Sequence, residues 1–373
     1  MAKAKVPSPR DAGQVAALLR LPEIAQLIAD LDETRWTGRP GNPIRVMVGA
    51  ALVKAIYALP TWTRTVRLIA EHAALRAAIG GTPSHWACYR FAAKLRLHGD
   101  MLTACIDRVL ASLHAAIPEM GQTVAIDGSD MPAYANGHKH VGNKNGPLRT
   151  RFADPDAGWG HRSSISTRKG GAFFGYKLHA AICTRTELPV AWTVMAANES
   201  EQGEVGALLD TAVRRGFGIG VAVMDKGYDG EPMHEACESR GIRPVIALKE
   251  TPAVKAGKHK PPQCEHGKWT FAGSDAKRGA SKWRCPAGEC MPGSVWIKAS
   301  RLHPLIPYGT ERFKNLYRQR TAVERGFGRL KHEGGLLPLR ARRLPRVTLH
   351  VNLTILAQLA DALVGAGMAE QAA

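Results

Sequence analysis

The sequence predicts an α/β protein: a mixed sheet with helices packed on it, an all-helical region ahead of it and a cysteine-containing insertion late in the chain. Three observations carry this. Apolar residues recur at helical spacing up to about residue 117, strand-like apolar runs follow Pro118 and then alternate with helical stretches, and residues 250 to about 303 lose both patterns. With 373 residues, 45% of them hydrophobic, the chain can bury a substantial core, and its length predicts two or three structural units.

In the first region the helical spacing runs through Val15–Ile28, Val46–Leu59, Val66–Ile79 and Leu102–Ile117. Loops are marked by Gly38-Arg39-Pro40-Gly41-Asn42-Pro43 and by Gly80-Gly81-Thr82-Pro83-Ser84. Ser84 is placed to cap a further helix, His85–His98, in which Arg90, Lys94, Arg96 and His98 accompany Trp86, Tyr89 and Phe91. Such a helix suits DNA phosphates, with its aromatic face in the core; an ordinary solvated basic face fits the same residues equally well.

In the second region Thr123–Asp127, Tyr176–Cys183 and Leu188–Ala196 read as three consecutive strands. A helix over Glu204–Arg215, a strand over Val221–Asp225, a helix over Glu231–Arg240 and a strand over Arg243–Leu248 follow. Beyond the insertion, helical spacing returns in Glu311–His332 and in Leu349–Val364. The organisation read from this is 1–117, 118–249, 250–303 and 304–373, with the last segment completing the sheet domain.

Lys and Arg number 51 against 32 Asp and Glu, a formal charge of +19. Such an excess favours a polyanionic partner, nucleic acid first and an anionic membrane second. The apolar run from Met47 to Pro60 is broken by Lys54 and that from Leu353 to Met368 by Asp361, each short of the roughly 18 to 20 residues that a span requires. No membrane is therefore expected. Met1 to Gly13 shows no apolar stretch of secretory type, and seven cysteines, an odd number, do not make a secreted disulfide framework. The expected location is the cytoplasm, at the nucleoid.

Two apolar runs end in an aspartate followed closely by glycine, Ile126-Asp127-Gly128 and Met224-Asp225-Lys226-Gly227. The carboxyl end of a buried strand is where open sheets place their ligands, although a single Asp-Gly is more often a turn. Tyr317, Arg320, Glu324 and Lys331 stand at offsets 0, 3, 7 and 14 within one expected helix. At 100° per residue they fall within an arc of about 60°, so they share a face. Leu316, Val323, Phe327 and Leu330 form an adjacent apolar stripe, whereas Gly326 and Gly328 weaken the helix by roughly 1 kcal/mol each. A surface ion-pair face is the plainer reading of Glu324 beside Arg320 and Arg325.

Asp130, Asp154, Asp156 and Asp229 read as turn residues, Asp130 being the alternative ligand should Asp127 not serve, His138 and His140 as a solvated loop tip, and His179 as a core or edge histidine. Arg340, Arg342, Arg343 and Arg346 form a basic run, either a solvated turn or a DNA contact. In the insertion, Cys264, His266, Cys285 and Cys290 are four soft or borderline ligands. The second pair has spacing suited to tetrahedral Zn²⁺, while the single residue between Cys264 and His266 is tighter than usual; His259 or Cys237 are substitutes for His266, and ordinary thiols are the alternative.

Taken together, these residues resemble the insertion-sequence transposases of the DDE class, whose catalytic core has the ribonuclease H-like fold. Tyrosine, two residues, arginine, three residues, glutamate, six residues and lysine is that family's C-terminal signature, and Tyr317, Arg320, Glu324 and Lys331 match it at every position. Asp127 in AIDGSD and Asp225 in MDKGYDG match its first and second aspartates, and the likeness extends to GYKLH at Gly175–His179 and to RLKHEGGLLPLRARRL. The resemblance implies that Asp127, Asp225 and Glu324 are catalytic and hold two Mg²⁺ or Mn²⁺ ions, chemistry that three hard carboxylates suit.

It implies double-stranded DNA as partner, both element terminal repeats and target, and a homodimer holding two ends; the expected contacts are Tyr317, Arg320 and Lys331 on the face of Glu324 and the basic residues Arg90, Lys94, Arg340 and Arg343. The helical residues 1–117 are then expected to bind ends or mediate pairing. The competing readings are a metal-dependent nuclease that cuts without joining and an inactive DNA-binding regulator. Intervals of 98 and 99 residues between the three acids leave the triad intact, which disfavours the regulator.

Overall fold

The computed structural model describes residues 9–34, 41–140, 151–162 and 169–372. Among them, seven helices come first: α1 (Pro9–Leu18), α2 (Pro22–Glu33), α3 (Ile44–Ile56), α4 (Trp62–Glu71), α5 (Ala73–Ile79), α6 (His85–Leu97) and α7 (Gly99–Ala116). The helix expected over Val15–Ile28 is two, because Pro22 in the first turn of α2 has no N–H to continue α1. That over Val66–Ile79 also divides, at His72, whose backbone is extended. Ser84 caps α6 as expected, its hydroxyl accepting from Ala87 N at 3.2 Å. Residues 1–8 and 35–40, which include part of the expected first loop, lie outside the described residues.

The central sheet holds β1 (Thr123–Pro132), β2 (Gly158–Arg162), β3 (Gly171–Cys183), β4 (Pro189–Ala196), β5 (Val221–Met224) and β6 (Arg243–Ile246). β3 pairs antiparallel with β1 along one edge and with β2 and β4 along the other, while β1 and β5, and β5 and β6, pair parallel. The antiparallel strands β4, β3 and β1, continued by the parallel β5 and β6, make the ribonuclease H-like sheet, and β2 adds to the far edge of β3. α8 (Val205–Arg214) and α9 (Glu231–Glu238) supply the crossovers that parallel neighbours require.

The insertion forms a small antiparallel sheet of β7 (Thr270–Asp275), β8 (Ala280–Arg284) and β9 (Ser294–Lys298). It is tied to the main body by Arg301, which donates twice to the buried Asp229 at 2.9 and 3.0 Å. Asp229, expected as a turn residue, is thus the insertion's anchor.

After it come α10 (Glu311–Arg318), α11 (Thr321–His332) and α12 (Leu344–Ala372). The single helix expected over Glu311–His332 breaks at Gln319 and Arg320, where the bonds tighten to Ala322 N→Gln319 O and Val323 N→Arg320 O. Its apolar stripe divides accordingly: Val323, Phe327 and Leu330 enter the main core, whereas Leu316 packs with Phe313 against Val221, Val223 and Val245. At Gly326 the helix lies close against the sheet. A Cβ there would lie 2.7 Å from Ile182 Cδ1, so the residue that weakens the helix is what seats it.

α12 is longer than expected, and its stretch Leu344–Gly367 has the length and hydropathy to cross a membrane. Half of that stretch is buried, however, against α3, α7 and β4. A continuous buried cluster from Ala12 to Ala360 joins the helical region to the sheet through it. Asp154 and Asp156 serve this helix too: their carboxylates accept from Arg343 N and Leu344 N at 2.9 Å each.

Candidate active site

The parallel register decides the position of the two aspartates. β1 and β5 pair as far as Ile126 and Met224, so the next residue of each, Asp127 and Asp225, leave the paired segment side by side. β1 itself runs on to Pro132, which places Asp127 within a strand rather than at its end. Its carboxylate accepts from Gly128 N at 2.8 Å, and that of Asp225 from Gly227 N at 2.6 Å.

Glu324 arrives from above the sheet. α11 packs on β1 and β3 through Val323, Phe327 and Leu330, while Arg325 and Arg329 pair with Glu187 in the turn between β3 and β4. Arg320 is the link among the acids: its guanidinium donates to Glu324 at 2.7 Å and lies 4.0 Å from Asp127. Tyr317 stands where it senses Asp225, Arg320 and Glu324, and burial above all raises its phenol. The structure therefore gathers Asp127, Asp225, Glu324, Arg320 and Tyr317 despite the break in the helix.

Asp127 is pushed up to about 7, first by burial and then by the negative charge of Asp225 and Glu201; its bond from Gly128 N and the charge of Arg320 oppose the shift. Burial next to like charge makes an ionised cluster costly until cations offset it. The donors fit Mg²⁺ or Mn²⁺, being hard carboxylate oxygens around a half-buried position. The cluster is open: among the described residues, the one set of three or more candidate ligands mutually within 4.8 Å is Cys264, Cys285 and Cys290.

The fold adds an acid that sequence spacing does not single out, Glu201. It follows β4 in a short 3₁₀ turn, pairs with Lys177 at 2.7 Å and accepts from the Tyr228 hydroxyl at 3.0 Å. Gly128 exists to admit it, since a Cβ there would collide with its carboxylate. Tyr228 also meets His179 Nε2 at 3.1 Å, and burial pulls that imidazole down to about 4, so it is neutral. Lys177 and Tyr228 belong to the GYKLH and MDKGYDG segments, whereas nothing in the spacing of Glu201 distinguishes it from a loop acid.

The other expected contacts divide into two that pair within the protein and three that are exposed. Lys331 reaches Asp130 at 3.3 Å, and Asp130 also receives Arg162 at 3.2 Å, so this lysine faces the sheet rather than the open side of the cluster. Lys94 donates to Leu31 O at 2.9 Å within the helical region. Arg90, Arg340 and Arg343 are exposed.

In the insertion, Cys264 Sγ and Cys285 Sγ are 3.8 Å apart, and Cys290 completes the trio. Burial opposes ionisation of Cys285, but hydrogen bonds from the backbone and thiol of Cys290 and from the N–H groups of Ala287 and Gly288 prevail and bring it down to about 6. His266 lies at the margin, 3.8 Å from Glu289, the neighbour of Cys290. Cys237 is buried in the main core and takes no part.

Comparison with known proteins follows the same line. The family model described as "Transposase DDE domain" matches residues 118–359. Among solved structures, the piggyBac transposase synaptic complex with hairpin DNA, determined by cryo-EM, aligns with 96% of this chain and 76% of that one, at 12% identity and a TM-score of 0.42. That likeness is distant, and the fold rests on the strand order above. Curated proteins yield no match. With the family model covering more than half of its length, the chain belongs to the DDE transposases and is a DNA transposase.

Proposed function

We propose that Asp127, Asp225 and Glu324 are the catalytic carboxylates, holding two Mg²⁺ or Mn²⁺ ions with which the protein cuts element ends and joins them to target DNA. The observation that carries this is the pairing of Ile126 with Met224, which sets the two aspartates side by side beneath the helix bearing Glu324. Bound ions of this kind activate a water or 3′-hydroxyl on one side of a phosphorus and stabilise the leaving oxygen on the other.

The chain's own residues do the rest. Arg320, which pairs with Glu324 and lies 4.0 Å from Asp127 here, would be free to make a bidentate phosphate contact if cations took its place beside the carboxylates. Tyr317 borders the same cluster. Lys177 and Tyr228 hold Glu201 against Gly128, fixing the floor beneath Asp127.

Residues 1–117 would bind the ends or pair them, and holding two ends together calls for two copies of the chain. The test is incubation with the element's own end DNA and Mn²⁺, products read at nucleotide resolution. Nicks at the ends and joined products from a donor with a free 3′ end are expected. Nicks without joining would leave a nuclease, and neither would leave a DNA-binding regulator.

We further propose that Cys264, Cys285 and Cys290 hold a structural Zn²⁺, with His266 as the fourth ligand after a small movement. One zinc per chain by elemental analysis is expected, falling to zero in Cys285→Ser together with faster proteolysis within residues 250–303. A metal-free protein with a Cys264–Cys285 disulfide would overturn it.

A further inference from the structure

A cavity of about 690 Å³ lies where α3, α4 and α6 meet the first half of α12 and the residues just before it. Its cations are Lys54, Arg90, Arg96, Arg340, Arg342 and Arg346, and among the described residues no Asp or Glu lines it. Like charges are crowded there: Arg96 is held below the usual arginine range by burial and then by Arg346, and burial brings Lys54 down to about 8. An anion in the cavity would offset that cost.

Aromatic rings share the walls. Trp86 and Tyr89 of α6 are exposed at 64% and 48%, with ring centroids 6.1 Å apart, and Tyr134, which lines the same cavity, is 45% exposed. Arg340 and Arg342 stack on Tyr134 at 4.6 and 5.2 Å, and Arg342 also donates to its backbone oxygen at 2.7 Å. Exposed rings set among guanidinium groups suit a ligand that has both a flat apolar face and negative charge.

We infer that this cavity takes an unpaired nucleotide of a DNA strand, its base on Trp86 and Tyr89 and its phosphates among Arg96, Arg340 and Arg346. The identity of the polyanion as DNA rests on the transposase reading. The preference for an unpaired base does not, because a ring face inside a duplex is already stacked on its neighbours and unavailable to a tryptophan. The volume falls in the range of small-ligand pockets in general. Position agrees: Tyr134 follows the same strand that carries Asp127, seven residues on, a span of at most about 23 Å at 3.3 Å per residue. A strand engaged at the carboxylates can therefore reach the cavity within one molecule.

The experiment compares the binding of a labelled single-stranded oligonucleotide and of its duplex, by fluorescence anisotropy across a salt series without divalent ions. Trp86→Ala is expected to weaken single-strand binding about tenfold and to leave duplex binding within about twofold. Arg340→Ala with Arg346→Ala is expected to flatten the single-strand salt slope by about 0.7 for each phosphate that is no longer neutralised. Trp86 is exposed, so an unchanged melting temperature confirms that its variant is folded. Equal weakening for both DNA forms, no weakening in either, or displacement by free nucleotide alone at equal concentration would overturn the proposal. Because the readout is binding, a protein that fails to cleave DNA can still pass it, which separates this inference from the catalytic one.

Discussion

Replacing Asp225 by asparagine is expected to lower cleavage of element ends by about a thousandfold or more, an effect of roughly 4 kcal/mol on the barrier, while DNA affinity stays within about twofold. Binding by a chain of charge +19 is spread over many Lys and Arg contacts to phosphates, and removing one carboxylate takes away a little repulsion at most. Cleavage instead needs an anionic oxygen for a divalent cation, which an amide does not supply. The local backbone should survive: Asp225 Oδ1 accepts from Gly227 N at 2.6 Å, and an asparagine Oδ1 can accept the same bond. Cleavage is measured under saturating end DNA and Mg²⁺, and binding by mobility shift. Retained cleavage would remove Asp225 from the site, while parallel loss of binding and cleavage would mean that the fold had been damaged.

How far the site is legible from the sequence follows from where each residue gets its position. Asp127 and Asp225 follow buried apolar runs, and the runs alone locate β1 and β5. Their adjacency is a matter of strand register, which periodicity does not encode. The break at Gln319 and Arg320 is invisible in the sequence because both residues keep right-handed helical dihedrals, so apolar spacing continues across it without a proline or glycine to mark the change. Arg320 nevertheless stays within reach of Glu324, since the offset of four survives a tightened turn.

Glu201 is illegible for a different reason. Its partners Lys177 and Tyr228 come from two other segments, and only the folded sheet brings them to Gly128. Asp154 and Asp156 carry the same lesson: in sequence they are loop acids, and in the fold they receive the backbone N–H groups at the start of a helix nearly 190 residues away.

The second large effect concerns pH. Mg²⁺ affinity is expected to rise about tenfold per pH unit from roughly pH 5 to 7 and to level off above that, because Asp127, pushed up to about 7, must lose a proton before it can serve as a ligand. The sign for metal-free stability is the opposite. A carboxyl raised in the folded state from its ordinary 3.8 contributes stability that is fully present below about pH 4 and is lost as pH rises through about 7. A rise from 3.8 to about 7 corresponds to at most about 4 kcal/mol, and the carboxyl is 28% exposed, so the realised effect is smaller. Asp127→Asn removes this dependence. The metal-free variant should therefore melt a few degrees above the wild type at pH 8 and no higher than it at pH 4. Saturating Mg²⁺ should reverse the order at pH 8, since only the aspartate gains from the ion. Thermal melts at both pH values, with and without Mg²⁺, measure all of this, and a wild-type Mg²⁺ affinity that is flat between pH 5.5 and 8 would exclude Asp127 as the residue whose ionisation gates the metal.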